Sequence, residues 1–437
     1  MGNNMGYWDS IDNMERGELE KLQLRRLRKT IEFSVKNSRF YKKSIPSDLI
    51  DIKSLDDLAK FPIIVKDDIR KDQEKKPFLG EMLCVPESEV VYISTSSGST
   101  GMPTASPFTQ GDFDSWIDYE ARQFYSSGLR KTDRYCHALS MSLFVGGPCV
   151  LGAQKIGALS IHAGTMASER LIKIIGHFKP NFIWTTPSYA WYLGETAEKM
   201  GFSPSGSSIK NIFVAGEPGG SIETTRKRIE NLWDAKVFDY YGISDIFGSC
   251  AGECVEQSGL HVAEDHMIVE VVDPKSGEHV AEGEKGEMLL TTINKWARPL
   301  IRFRTGDIVT YELDKCSCGR TSKRLIGIHG RMDDMLIIKG INVMPSAIES
   351  IIRSNPNLTG EYRIVVDRKN HLDSVTVETE HTDDFIGNLS TLEKELSNDI
   401  KATLGVSTNV VIYDEETLPR ATHKAKRLID NRNNVWK

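Results

Sequence analysis

The chain has 437 residues and a formal net charge of −6, with 39% hydrophobic and 27% charged residues. That is room for two or three domains of ordinary globular composition. The acidic balance argues against a nucleic-acid or anionic-membrane surface, either of which wants a basic excess.

No apolar run approaches the roughly 20 residues of a membrane span. Residues Met1 to Gly6 hold no apolar signal core. Seven cysteines in a chain of this length do not make a disulfide framework. The expectation is a cytoplasmic protein.

In chain order, Leu24, Leu27, Ile31 and Val35 recur at helical spacing, which predicts a helix from about 15 to 37. The charged run Lys66 to Lys76 reads as a solvated face. An apolar run, Val90 to Ile93, then leads into Ser94-Thr95-Ser96-Ser97-Gly98-Ser99-Thr100-Gly101-Met102-Pro103-Thr104. Seven of these eleven residues are Ser or Thr and two are Gly. Glycines let backbone N–H groups turn toward a polyphosphate, and the hydroxyls add short donors. No Gly-Lys-Ser/Thr and no dinucleotide fingerprint accompany the loop, so it is neither a Walker loop nor a Rossmann turn. A serine-hydrolase elbow is missing as well.

From Val90 to about Gly330 β-rich runs alternate with helical patterns. The runs include 182–185, 211–214, 237–240, 267–272 and 286–292, and they predict α/β layers with some parallel sheet. After Gly330 a small α+β unit is expected, with strands at 361–366, 374–378 and 409–413 and a helix over 391–404. The expected division is therefore a large domain, 1–330, and a small one, 331–437.

Four later segments have unusual composition: Ala215-Gly216-Glu217-Pro218, Asp239-Tyr240-Tyr241-Gly242-Ile243-Ser244-Asp245, Arg302-Phe303-Arg304-Thr305-Gly306-Asp307, and Gly330-Arg331-Met332-Asp333-Asp334 with Lys339-Gly340. A fifth, Leu418 to Arg427, contains His423 and Lys424. Singly each is weak. In this order and at these intervals, with the Ser/Thr loop, they resemble the adenylate-forming superfamily, in its phenylacetate–CoA ligase-like branch.

The resemblance covers nearly the whole chain. It implies a large N-terminal domain of layered α/β subdomains and a small mobile α+β lid domain. It also implies an enzyme that adenylates a carboxylic acid with ATP, releases pyrophosphate, and passes the acyl group to coenzyme A.

The resemblance further implies roles. Ser96, Ser97, Gly98, Ser99, Thr100 and Gly101 would hold the β- and γ-phosphates. Gly216, Glu217 and Pro218, with Asp239, Tyr240, Tyr241, Gly242 and Ser244, would form the adenine slot. Asp307 would accept hydrogen bonds from both ribose hydroxyls, and Arg331 would meet ribose or phosphate oxygens. Asp245 would help hold Mg²⁺, and Lys424 would bridge carboxylate and α-phosphate during adenylation. Asp333 would be the hinge and Gly340 would line the thiol tunnel. Three departures from the family's pattern stand out: Met102 where Lys is frequent, Asp245 for Glu, and His423 for Gly.

Aromatic walls and glycine floors at Phe144, Gly146, Trp184, Tyr189, Phe247 and Gly248 would suit a flat apolar acid. For any one of them, core packing is the stronger alternative. The family's preference is for aryl or arylacetic acids.

Cys254, His261, Cys316 and Cys318 would make a Cys₃His zinc site if their two loops lie side by side. Spacing alone leaves zinc and bare reduced thiols equally open. Relatives with structural zinc on matching segments favour zinc, with Cys250 in reserve. Loading of a carrier-protein phosphopantetheine, AMP transfer without CoA, a non-catalytic nucleotide-binding role and a homodimeric assembly remain alternatives.

Overall fold

A computed structural model describes residues 6–95, 103–140, 146–164, 166–332, 335–338, 341–369, 372–420 and 427–432. The chain divides into two compact units. The first comprises Met1–Thr185, Ser207–Gly216 and Lys236–Ile328; the second comprises Thr186–Gly206, Glu217–Ala235 and His329–Lys437.

A large mixed sheet carries the fold. Its parallel part runs Leu159–His162, Arg134–His137, Phe182–Thr185, Asn211–Val214, Lys236–Ile243. It continues through Phe247–Glu253, Leu260–Val262, Arg324–Arg331, Phe303–Glu312, Gly286–Thr292 and Met267–Val272. The inner parallel strands are buried along most of their length because both faces are covered. Phe124, Trp184, Phe213 and Tyr240 pack ring on ring in this core. Residues that leave the C-terminal ends of such strands border the crevice where α/β folds bind ligands. Gly216 and the 239–245 segment are two of them.

The Ser/Thr loop joins two paired strands, Val90–Thr95 and Ala105–Thr109, whose last register pair is Thr95 with Ala105. The loop is thus held at both stems. The helix Gln110–Ser126 follows at once. Thr109 and Asp112 cap each other's backbone N–H at its start, so the chain turns from strand to helix without a spacer.

In the second unit, helices Pro187–Lys199 and Glu223–Trp233 pack together. A four-stranded sheet there runs in the order Asn409–Tyr413, Leu372–His381, Leu358–Lys369, Leu428–Asp430. Helices Pro345–Ser354 and Leu389–Leu404 supply its apolar cover through Ile348, Ile352, Leu396 and Ile400. Large α/β and small α+β parts are both present as the sequence predicts. No helix among the described residues is long and apolar enough to cross a membrane.

Two helices of the first unit approach too closely for any side chain at Gly152. A Cβ there would lie 2.6 Å from Glu120 Cβ and 2.9 Å from the Ala121 amide nitrogen. Gly152→Ala is expected to destabilise the protein by about 1–3 kcal/mol, measured by urea denaturation against the parent protein.

Candidate active site and metal centre

Asp245 lies in the turn between Lys236–Ile243 and Phe247–Glu253 and is 4% exposed. Its Oδ2 is 2.5 Å from Lys66 Nζ and its Oδ1 is 3.4 Å from Arg298 Nη2. The Asp245 carbonyl accepts from Ser106 Oγ at 3.1 Å and from Lys295 Nζ at 3.0 Å. Lys295 also donates to Ser106 Oγ (2.7 Å) and to the Ile246 carbonyl (3.0 Å), and stands 4.0 Å from the centre of the Phe108 ring. Burial, with help from Arg298, pushes the Lys295 pKa down to about 7.

The stems of the Ser/Thr loop are bolted to this turn. Ser94 Oγ donates to the Ser244 carbonyl at 2.9 Å, and Arg298 Nη1 donates to the Ala105 carbonyl at 2.6 Å. Gln73 brackets Ala105 from the other side, accepting from its N–H and donating to its carbonyl. The loop residues Ser96, Ser97, Gly98, Ser99, Thr100, Gly101 and Met102 themselves lie outside the described residues. So do Phe144, Asp333, Gly340, His423 and Lys424.

One expectation needs correction. The run from Lys66 is not uniformly solvated, since Lys66 faces Asp245, Gln73 holds Ala105, and buried Asp72 accepts the Met82 N–H at 2.9 Å. The Asp245 carboxylate, expected to help hold Mg²⁺, is paired here with Lys66 and Arg298.

Asp307, on strand Phe303–Glu312, is 4% exposed and accepts a hydrogen bond from Tyr241 Oη at 2.5 Å. Of the residues expected at the ribose and adenine, Asp307 and Tyr241 are therefore in contact. Strand alternation separates the tyrosines. Tyr240 is buried in the core with its hydroxyl 2.5 Å from Ser127 Oγ, while Tyr241 is half-buried. The Asp239 N–H donates to Glu253 Oε2 at 2.7 Å. At Gly242 a Cβ would lie 1.7 Å from the Gly248 carbonyl oxygen, so no side chain fits.

Gly216 turns with φ +92°. Glu217, in the second unit, accepts from the Ser188 N–H at 2.8 Å and from the Ser188 hydroxyl, which places its charge at the start of helix Pro187–Lys199. Pro218 continues that turn, and Arg331 ends its strand exposed.

The expected acid-pocket residues divide as their individual alternative allows. Trp184 is buried against Phe124 and Tyr240, and Phe247 is buried against Phe108 and His266. Gly146 precedes the turn at 147–149, and Tyr189 is buried on helix Pro187–Lys199.

At Gly248 a Cβ would lie 2.6 Å from the Trp116 ring and 2.9 Å from Glu120 Oε1. Glu120 is thus a buried carboxylate in the space a side chain at 248 would fill. It accepts from Trp116 Nε1 (2.8 Å), Cys149 Sγ (3.2 Å) and Ser249 Oγ (3.1 Å).

Cys254, His261, Cys316 and Cys318 do converge, with one ligand atom from each within 4.8 Å of all the others. Cys254 Sγ to Cys316 Sγ is 3.9 Å and Cys318 Sγ to His261 Nε2 is 3.5 Å. A zinc tetrahedron with Zn–S of about 2.3 Å has S···S edges of roughly 3.8 Å, so the donor set and its size suit that ion. Ser322 Oγ, 3.0 Å from His261 Nδ1, turns Nε2 toward the thiols. Arg320 Nη1 reaches Cys318 Sγ at 3.5 Å. The Cys254 thiol and His261 pull the Cys318 pKa down, and Cys318 in turn pushes that of Cys254 up. Cys250 is buried apart from the four, 3.9 Å from the Phe247 carbonyl.

Burial pushes the Glu120 pKa up to about 7, against the hydrogen bonds that favour its ionised form. A raised folded-state pKa means that the native state binds more protons than the unfolded one between about 4.5 and 7. Stability from this group is present below about 4.5 and lost as pH rises through 7. Glu120→Gln is expected to flatten the fall in stability between those limits, read from denaturation midpoints across pH. An unchanged slope would show that Glu120 titrates normally.

The model for AMP-binding enzymes matches residues 40–294, and the model for the AMP-binding enzyme C-terminal domain matches 340–432. A phenylacetate-coenzyme A ligase of Aromatoleum evansii is 36% identical over 98% of both chains. The phenylacetate-coenzyme A ligase of Escherichia coli (strain K12) is also 36% identical, over 98% of both chains. Among solved structures, 2-hydroxyisobutyryl-CoA ligase in its postadenylation state matches with a TM-score of 0.92 at 29% identity, covering 99% of this chain and 94% of that one. The same ligase with CoA in its thioesterification state matches at 0.74 and 30% identity, with the same coverage. The chain belongs to the AMP-binding (adenylate-forming) enzyme family, in its phenylacetate–CoA ligase branch.

Proposed function

We propose that the chain is an AMP-forming acid–CoA ligase. One carboxylate oxygen of the acid attacks the α-phosphorus of ATP and pyrophosphate leaves. The thiol of coenzyme A then attacks the acyl carbon, a thioester forms, and AMP departs. The observation that carries this reading is the match to phenylacetate–CoA ligases across 98% of both chains, supported by the Tyr241–Asp307 contact.

Residues 1–330 would hold the nucleotide and the acid, and 331–437 would bring Lys424. Asp307, aimed by Tyr241, would take the ribose hydroxyls. The backbone amides and hydroxyls of 96–101 would stabilise charge on departing pyrophosphate. Lys66 and Arg298 add two cations beneath the loop's stems, where Met102 supplies none. Mg²⁺ would be held chiefly by the nucleotide's own phosphates.

The phenylacetate-coenzyme A ligases among the relatives favour an aryl or arylacetic acid. The four-ligand cluster would hold a structural Zn²⁺, closed to substrate and joining the 254–261 and 316–318 segments. We place the protein in the cytoplasm, where ATP, CoA and reduced thiols coexist; all seven cysteines are free of disulfides.

A panel of aryl, arylacetic and small hydroxy acids, assayed for pyrophosphate release with and without CoA, tests the reaction. Release coupled to CoA consumption is expected. Pyrophosphate exchange without CoA consumption would favour a carrier protein as acceptor. Lys424→Ala should slow adenylate formation by about 100-fold or more; the parent rate would refute its role. Zinc should be found at one ion per chain by elemental analysis, and Cys316→Ser should lower that ratio and the melting temperature together.

A further inference from the structure

One contact joins the spans of the two family models within the second compact unit. Trp191 stands on helix Pro187–Lys199, inside the 40–294 span. Its ring meets Gly360 of strand Leu358–Lys369, inside the 340–432 span. Gly360 has φ +84°, and a Cβ there would lie 2.4 Å from Trp191 Cη2.

Two cations flank the ring. The Arg228 guanidinium carbon is 4.0 Å from its centre and that of Arg353 is 5.6 Å away. Arg228 Nη1 crosses to the Leu358 carbonyl at 3.0 Å, and Arg353 is aimed by Glu349 at 2.9 Å. Trp191 Nε1 is fixed by Glu195 at 2.5 Å. Lys199 and Glu416 form a second, exposed ion pair between the same two spans.

This has the make-up of a docking anchor, a buried tryptophan with arginines around it and a bare glycine opposite. The contact is additional to the small module's own core, which Ile348, Ile352, Leu358, Ile364, Val377, Leu396 and Ile400 form. The contact is therefore free to act as a catch. A reason to have one lies in the relative. At equal coverage and near-equal identity, 2-hydroxyisobutyryl-CoA ligase matches this chain at 0.92 in its postadenylation state and at 0.74 in its thioesterification state. The relative thus changes shape between its two half-reactions.

We propose that Trp191, with Arg228, Arg353 and Gly360, forms a clasp that holds the small module while the acid is adenylated and releases it for the CoA step. Trp191 is a positioning residue, remote from the reacting atoms. The proposal rests on the two-step reaction above.

The test uses the full chain with phenylacetate as the probe acid. In Trp191→Ala, ATP–pyrophosphate exchange should fall by roughly tenfold, while thioester formation from supplied phenylacetyl-AMP and CoA holds or rises. Gly360→Ala carries its backbone strain in any background but meets the ring only when Trp191 is present. Its effect on exchange should therefore shrink in the Trp191→Ala background. Amide hydrogen exchange over 358–361 should speed up in Trp191→Ala.

Equal loss of both half-reactions, additive variants, or unchanged amide exchange would each overturn the clasp. If the parent protein adenylates no phenylacetate, the substrate reading fails instead. The amide exchange, together with the same double-variant cycle read as melting temperatures, then decides the clasp alone.

Discussion

A buried lysine organises the base of the Ser/Thr loop. Lys295 has no exposed surface, yet it reaches three oxygens: the Ser106 hydroxyl and the carbonyls of Asp245 and Ile246. An unpartnered charge at that depth would be prohibitive, and a satisfied one locks every group it touches. Through it the outgoing stem of the Ser/Thr loop and the turn at 244–246 become one rigid piece. Lys66 and Arg298 complete the piece by flanking the Asp245 carboxylate. Phosphate-facing donors act best when they need not be reorganised at the moment of reaction, and this node supplies that condition at the loop's base.

The strand that carries Tyr240 and Tyr241 divides labour by alternation alone. One ring joins the aromatic core that fixes the sheet. The next donates its hydroxyl to Asp307, so the carboxylate that we propose for the ribose hydroxyls is already oriented. Gly242 and Gly248 let the two strands close on each other where no side chain fits, and Glu120 takes up part of the space beneath.

Much of this was legible in the chain. The strands at 182–185, 211–214, 267–272 and 286–292 have the bounds their β-rich runs predict, because each is a short buried run with turn residues at both ends. The Cys₃His set was readable because thiols and imidazole are rare enough for four of them to be noticed. Lys66, Lys295, Arg298 and Glu120 were not legible. Their partners lie 179, 50, 53 and 129 residues away for the contacts Lys66–Asp245, Lys295–Asp245, Arg298–Asp245 and Glu120–Ser249. No local period announces such a pairing. Lys66 sat in a run of charges of which Lys71, Glu74, Lys75 and Lys76 do face water, and only the fold tells one lysine from the next.

The central claim is that an acyl-adenylate lies on the path. It is tested most directly by the fate of a carboxylate oxygen. With acid carrying heavy oxygen in its carboxylate, ATP and CoA, mass spectrometry of the released AMP should find one heavy oxygen on its phosphate. Attack of the acid on the α-phosphorus followed by thiol displacement requires that transfer. Unlabelled AMP, with the oxygen lost from the carboxylate found instead in inorganic phosphate or water, would contradict it.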